Sequence, residues 1–260
     1  MENVKNSFLS YIDDFETEAE EFLKNYCPDV LNSPQKTPIW DIAKNKMNLD
    51  IIESESLSND ESVQGAIIFG AGVVDVYDWE TKTYVGYEVR FPTIFLDANI
   101  VNRGRLNNTL AHECYHHYNH RLYFRYKNKY STKTSLGFRC FSKLLSNKNY
   151  GQMSDVEKME YQARTIAPRL LMPKCTVNML IDQYLGESSP EDITDEDLKK
   201  LIVKVSEIYE VSRQSAAIRI SELGYHRAYK LYSAETEIIN PRPPVTYTSA
   251  KKNKSDISFY

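Results

Sequence analysis

The sequence lacks the features that mark several protein classes. It has only four cysteines in 260 residues, far apart and without a C-x-x-C pair, which argues against a disulfide framework and a thiolate zinc site. No apolar run approaches the roughly 18 residues of a membrane span, and the N-terminal residues are acidic where a signal peptide is basic and then apolar. We therefore expect a cytoplasmic protein with reduced thiols. Few glycines and prolines and 42% hydrophobic residues exclude a disordered chain.

The apolar patterning predicts an α+β fold, with a small, mostly antiparallel sheet followed by a helical half. The predicted strands are the segments LDIIES, VQGAIIFG, VVDVYDW, YVGYEVRF and TIFLDANI. The predicted helices cover residues 6–26, 38–47, 105–126, 136–146, 154–172, 174–185, 195–209 and 212–223. We divide the chain into an N-terminal helix and linker (1–35), a main domain (36–232) and a weakly ordered tail (233–260).

Histidine is concentrated in one place. Four of the five histidines fall within residues 112–120, and HECYH at 112–116 matches the H-E-x-x-H pattern. On a helix, His112 and His116 share a face and can present two imidazoles to one metal ion. Glu113 is rotated by about 100°, so it can reach a water molecule at the metal without being a ligand. The alternative is that these histidines form a cluster with no catalytic or metal-binding role.

The residues alone leave the third metal ligand open. Hydrolytic zinc sites usually have three protein ligands and a water. His120 lies on the same helix face as His116, whereas His117 points elsewhere. The next helix offers Glu157 and Glu160, which are three residues apart and therefore lie on nearly the same face.

Three segments together resemble the ImmA/IrrE family of metallo-endopeptidases, which are gluzincin-type zinc peptidases. They are IFLDANIVNRGRLNNTLAHECYH at 94–116, EYQARTIAPRLLMP at 160–173 and VSRQSAAIRISELG at 211–224. The resemblance covers about residues 36–226 and implies that residues 36–232 form a metallopeptidase domain. This chain differs in having HECYH where HELGH is usual, and Arg164 where the family has Asp or Asn. Arginine cannot accept a hydrogen bond from a ligand imidazole, as a carboxylate would.

The resemblance implies a zinc-dependent endopeptidase that binds one Zn²⁺ per chain, although another divalent metal would also fit. It assigns His112, His116 and Glu160 as metal ligands and Glu113 as general base. It also implies site-specific cleavage of a helix-turn-helix repressor in a stress-response or mobile-element switch. By family analogy, TIFLDANI is the edge strand that would receive an extended substrate. For the oxyanion, Tyr225 and His226 are candidates by residue type alone.

Two other functions compete with this hypothesis. The C-terminal helices resemble a helix-turn-helix, with Arg213, Gln214 and Arg219 near a would-be recognition face. A net charge of −4 argues against direct nucleic-acid binding. In the second alternative, the protein is a regulator that binds a partner, and its metal site is structural. A structural site needs no glutamate at position 113. Residues 114–154 contain eight Lys or Arg and no acid, so this basic segment would attract an acidic partner or form a solvated loop. We expect no contact with a membrane. The sequence does not indicate the oligomeric state.

Overall fold

The computed structural model describes residues 12–130, 137–141, 149–186, 190–232 and 252–253, with side chains for 12–125, 149–186 and 190–232. Five strands lie between residues 50 and 96 and most of the helices follow residue 103, so the α+β prediction is confirmed. The strands are β1 (Asp50–Ile52), β2 (Val63–Ile68), β3 (Gly72–Asp78), β4 (Thr83–Val89), β5 (Thr93–Leu96), β6 (Gly137–Phe141) and β7 (Lys252–Asn253). All five predicted strands are present.

The strands form two sheets rather than the single sheet expected. One has the order β1-β5-β2-β6 and is antiparallel except for the β1–β5 pair, and the other has the order β3-β4-β7. A second small core forms where Val74 and Val76 of β3 join Ala66 and Ile68 of β2 with Phe95 of β5. The valines of β3 alternate with more exposed residues, so this hairpin covers one face of the first sheet instead of extending it.

Two predictions about the first sheet are wrong. Residues 136–146 were expected to be helical, but Gly137–Phe141 form strand β6 against β2. Glycine is unfavourable in a helix interior and aromatic residues favour strands, so this segment pairs with β2 instead of forming a helix. TIFLDANI was expected at a sheet edge, yet β5 lies between β1 and β2, with hydrogen-bonded neighbours on both sides. Within the described residues, β6 is the strand that borders β2 on its other side.

The helices follow the predicted order. They are α1 (Phe15–Tyr26), α2 (Ile39–Asp41), α3 (Arg103–Tyr115), α4 (Arg121–Tyr130), α5 (Asp155–Leu171), α6 (Lys174–Leu185), α7 (Asp195–Ile208), α8 (Arg213–Glu222) and α9 (Arg227–Leu231). The predicted helix 105–126 is divided by a π-helical turn at His116–His120 between α3 and α4. Another such turn, Ile42–Lys46, follows α2. Among the described residues, no helix is both long and apolar enough to cross a membrane.

The main core lies where α3 packs against α5 and against β2. Ala111 of α3 and Ala163 and Ala167 of α5 are fully buried, and small side chains allow the two helix axes to approach closely. Ser154 begins α5 with a capping box, because its side chain accepts from the Glu157 backbone and the Glu157 carboxylate accepts from the Ser154 backbone. The packing of α3 on α5 therefore brings their facing polar residues together.

The C-terminal helices are tied to the rest of the chain by buried charges. Arg219 of α8 is 1% exposed and donates to both carboxylate oxygens of Glu16 in α1 at 2.6 Å. Arg169 of α5 contacts the same carboxylate at 3.0 Å. Arg219 is thus not on an exposed recognition face, contrary to that part of the DNA-binding hypothesis. The boundary proposed at residue 35 stays a prediction, and the tail 233–260 lies outside the described residues apart from β7.

Replacing Glu16 with glutamine should destabilise the protein by about 2–3 kcal/mol, because the buried Arg219 would lose its closest carboxylate and keep only the longer contact with Glu222. Burial raises the pKa of Glu16, but the hydrogen bonds to Arg219 and the positive charges of Arg219 and Arg169 together outweigh burial and hold the pKa below its ordinary value. The difference between wild type and Glu16→Gln should therefore be complete above about pH 5 and shrink as pH falls through the folded-state pKa. Chemical denaturation at several pH values measures it.

Glu20→Gln is the matched control, since Glu20 lies on the same helix and pairs with Lys24 in solvent. It should change the free energy of unfolding by less than about 0.5 kcal/mol. Equal effects of the two substitutions, or a Glu16 effect that does not vary with pH, would contradict this account of the buried charges.

Candidate metal centre

The last turn of α3 and the π-helical turn that follows it place His112 and His116 side by side. They are one helical turn apart, their Nε2 atoms are 2.9 Å from each other, and they are 2% and 0% exposed. Two imidazole nitrogens at this separation either share a proton or bind a common cation. The structure therefore brings these two rings together, as their spacing in the sequence predicts.

Helix α5 adds Glu160 to the pair. Its Oε2 lies 3.5 Å from His112 Nε2 and its Oε1 lies 3.2 Å from His116 Nε2. The alternative ligand Glu157 is instead engaged at the start of the helix, where its Oε2 accepts from the Ser154 backbone at 2.8 Å. The structure thus brings together the three residues predicted as ligands and leaves Glu157 out.

The group fits a divalent metal ion. Zinc bonds of about 2.0–2.2 Å at tetrahedral angles place neighbouring donor atoms about 3.3–3.6 Å apart. The three measured separations, 2.9, 3.2 and 3.5 Å, come within about 0.4 Å of that range. Beyond the two imidazoles, neither oxygen of Glu160 has a hydrogen-bond partner among the described residues. Two imidazoles and a carboxylate suit zinc and other divalent metals alike.

The protonation states also suit a cation. Burial lowers the pKa of His116 to about 4, so at neutral pH this imidazole keeps a lone pair for a metal. Burial raises the pKa of Glu160, but the adjacent His112 and His116 outweigh it and hold the pKa well below its ordinary value. The site therefore offers a neutral ring and a charged carboxylate, as metal binding requires.

Glu113 is enclosed next to this group. It is fully buried, and neither carboxylate oxygen has a hydrogen-bond partner among the residues that the structure describes. Burial and then the nearby Glu160 raise the pKa of Glu113 well above its ordinary value. A buried carboxylate without a hydrogen-bond partner destabilises the folded state. Its presence here therefore indicates a functional role.

Strand β2 approaches Glu113 closely at Gly65. A Cβ atom at this position would lie 2.8 Å from Glu113 Oε1 and 2.6 Å from Thr109 Cγ2. Only glycine leaves room for the carboxylate in its present place. The sequence analysis did not identify Gly65, because nothing local to β2 shows that a helix forty residues later packs there.

The other polar candidates lie elsewhere. His120 is behind His116, with 2.9 Å between the two Nδ1 atoms, so it is not the third ligand. His117 lies outside the cluster of three, and burial lowers its pKa to about 4. Tyr225 and His226, the oxyanion candidates, line a separate cavity of about 490 Å³ between α7 and α9. No metal-site residue lines that cavity.

The basic segment 114–154 is described only in part. The side chains of residues 126–148 are outside the described residues, so attraction of an acidic partner by this segment stays a prediction. Arg164, in the position of the family's Asp or Asn, is half-buried. Its charge is among the minor causes of the lowered pKa of His116, after burial, so it acts on the metal site through charge.

Comparison with known proteins gives little further information. No protein-family model matches the chain, and no curated protein matches its sequence. A solved structure of a Mycobacterium tuberculosis transcriptional regulator is similar, with 10% identity and a TM-score of 0.41 over 85% of this chain and 51% of that one. The chain thus spans about half the length of that regulator. A likeness this remote carries no argument about function.

The purified protein should bind about one divalent metal ion per chain. His112→Ala with His116→Ala should abolish binding, and Glu160→Gln should weaken it by more than the 10–100-fold typical of changes outside the ligand set. Glu157→Gln is the matched control on the same helix and should leave zinc affinity unchanged. Zinc content after dialysis and competition with a chromophoric chelator measure these affinities. Loss of zinc in Glu157→Gln with retention in Glu160→Gln would reverse the assignment.

Proposed function

We propose that this protein is a zinc-dependent endopeptidase. The observation that carries the proposal is Glu113, a buried carboxylate without a hydrogen-bond partner among the described residues, next to the His112, His116 and Glu160 group. A structural metal site requires ligands but no such carboxylate. Bases of hydrolytic sites, in contrast, are commonly buried with perturbed pKa values. The resemblance of three chain segments to the ImmA/IrrE family supports the same activity.

In the proposed mechanism, each residue has one task. His112, His116 and Glu160 would hold the metal, which when bound supplies a Lewis acid that activates water and polarises the scissile carbonyl. Glu113 would accept the proton of the attacking water and later donate it to the leaving amine. The closed environment made by β2 and α3 would keep Glu113 poorly solvated, which favours proton transfer over permanent ionisation.

The substrate class in this proposal is protein, and specifically a helix-turn-helix repressor. Only the ImmA/IrrE resemblance supports that choice. The competing hypothesis of direct DNA binding has lost one of its three recognition residues, because Arg219 is buried and bonded to Glu16. We therefore retain a regulatory role through proteolysis as the proposal and expect narrow substrate choice.

Glu113→Gln should retain the fold and the bound zinc but lose about 10²–10⁴-fold in cleavage rate, because an amide cannot act as a general base. The assay incubates zinc-loaded protein with an extract of the cells that produce it naturally, in ¹⁸O-labelled water, and identifies newly formed, labelled C-termini by mass spectrometry. Glu20→Gln, on the exposed side of α1, is the matched control and should cleave like wild type. Equal products from wild type and Glu113→Gln would exclude the mechanism.

Gly65→Ala should reduce the cleavage rate by about 10–100-fold while zinc remains bound, because the new methyl group displaces the Glu113 carboxylate and misplaced catalytic groups lose rate steeply. Gly70→Ala is the control, since a Cβ there meets no atom within 4 Å. The rate is measured on a product found in the extract assay, and zinc by metal analysis. Unchanged turnover in Gly65→Ala would show that the position of Glu113 is not critical.

A further inference from the structure

A chain of buried hydrogen-bonding groups extends from His116 away from the metal site. His116 Nδ1 lies 2.9 Å from His120 Nδ1, and His120 Nε2 lies 2.9 Å from Gln162 Oε1. Gln162 Nε2 in turn donates to the Tyr150 hydroxyl at 3.0 Å. His116, His120 and Gln162 are all fully buried. Buried polar groups of this kind are almost always arranged so that donors meet acceptors.

We propose that His120 and Gln162 are positioning residues that hold His116 in the tautomer able to bind metal. The proposal rests on the metal site proposed above and extends it to two residues that do not contact the ion. It assigns a function to His120, which is fully buried and is not a ligand.

The donor and acceptor roles follow from the chemistry of the amide. A glutamine oxygen only accepts hydrogen bonds, so His120 must carry its proton on Nε2 to bond with Gln162 Oε1. The Nδ1 atom of neutral His120 is then an acceptor, and His116 must donate from Nδ1. The Nε2 atom of His116 is thereby left with a lone pair directed at the other two ligands.

The opposite orientation of the amide would reverse every role. If Gln162 presented its nitrogen to His120, then His120 would donate from Nδ1 and His116 would carry its proton on Nε2, where it blocks metal binding. The Tyr150 hydroxyl can donate or accept, so it is compatible with either orientation. Asn119 Nδ2, the other donor near His120 Nε2, is 3.5 Å away and donates to the Tyr115 hydroxyl at 3.0 Å.

The tautomers described above exist only while both rings are neutral. A charged His120 would have no acceptor for His116. His120 and Gln162 together also provide a hydrogen-bond acceptor for the imidazole of His116. Arg164 cannot provide one, because a guanidinium has no acceptor.

The experiment compares substitutions at Gln162 that remove or keep the acceptor for His120. Gln162→Leu removes the acceptor at similar volume, and Gln162→Glu keeps a carboxylate oxygen that accepts from His120 Nε2. His120→Phe removes the whole link, and His117→Phe is the matched control because His117 Nδ1 has no hydrogen-bond partner among the described residues. Circular dichroism and thermal melting identify which variants remain folded.

The first readout is the histidine tautomers in the metal-free protein, seen in long-range ¹H–¹⁵N NMR spectra. We expect the Nδ1–H form for His116 and the Nε2–H form for His120 in wild type and in Gln162→Glu. In Gln162→Leu, we expect the Nε2–H form of His116 to become populated. A predominant Nε2–H form of His116 in the wild-type protein would overturn the proposal.

The second readout is zinc affinity by chelator competition. Gln162→Leu and His120→Phe should bind zinc about 10–100-fold more weakly than wild type, as changes to groups that orient ligand imidazoles typically do. Gln162→Glu and His117→Phe should bind like wild type. Wild-type affinity in folded Gln162→Leu would overturn the proposal. These outcomes are separate from peptidase activity, so a protein with the expected tautomers and no cleavage would contradict only the proposed function.

Discussion

The close packing of α3 against α5 is the constraint on which the rest of the structure depends. Ala111, Ala163 and Ala167 are fully buried in these helices, and the packing of the helices brings the Glu160 carboxylate within 3.2–3.5 Å of the His112 and His116 imidazoles. The metal group is therefore a product of core packing, and its geometry is as rigid as the core around it.

The same packing creates the electrostatic character of the site. Enclosure lowers the pKa of His116 and raises that of Glu113, so one environment favours a neutral ligand and a protonated acid. A bound divalent cation would oppose the second shift, because positive charge favours the carboxylate form. Glu113 would thus be poised between its two protonation states, as a group that accepts and then returns a proton must be.

Buried charged side chains also hold the C-terminal helices in place. Arg219 and Arg169 converge on Glu16, and both arginines also contact Glu222 at 3.1–3.3 Å. These contacts join α1 and α8 to α5, the helix that carries Glu160. A cluster of this kind needs all its partners, because any charge left alone in the interior is costly. The helix-turn-helix-like segment therefore supports the metal site by packing, and its central arginine is committed to that contact.

The sequence by itself determined the features that depend on near neighbours. Hydrophobic alternation located five strands, the H-E-x-x-H spacing paired His112 with His116, and capping residues such as Ser154 lie at the predicted helix starts. Tertiary structure decided what depends on residues distant in the chain. Glu157 and Glu160 are equivalent by spacing; the family resemblance assigned Glu160, and the packing on α3 places its carboxylate beside the two imidazoles. Residues 137–141 form a strand because they pair with β2. The approach of Gly65 to Glu113 and the position of His120 behind His116 also arise from packing, which no local sequence pattern encodes.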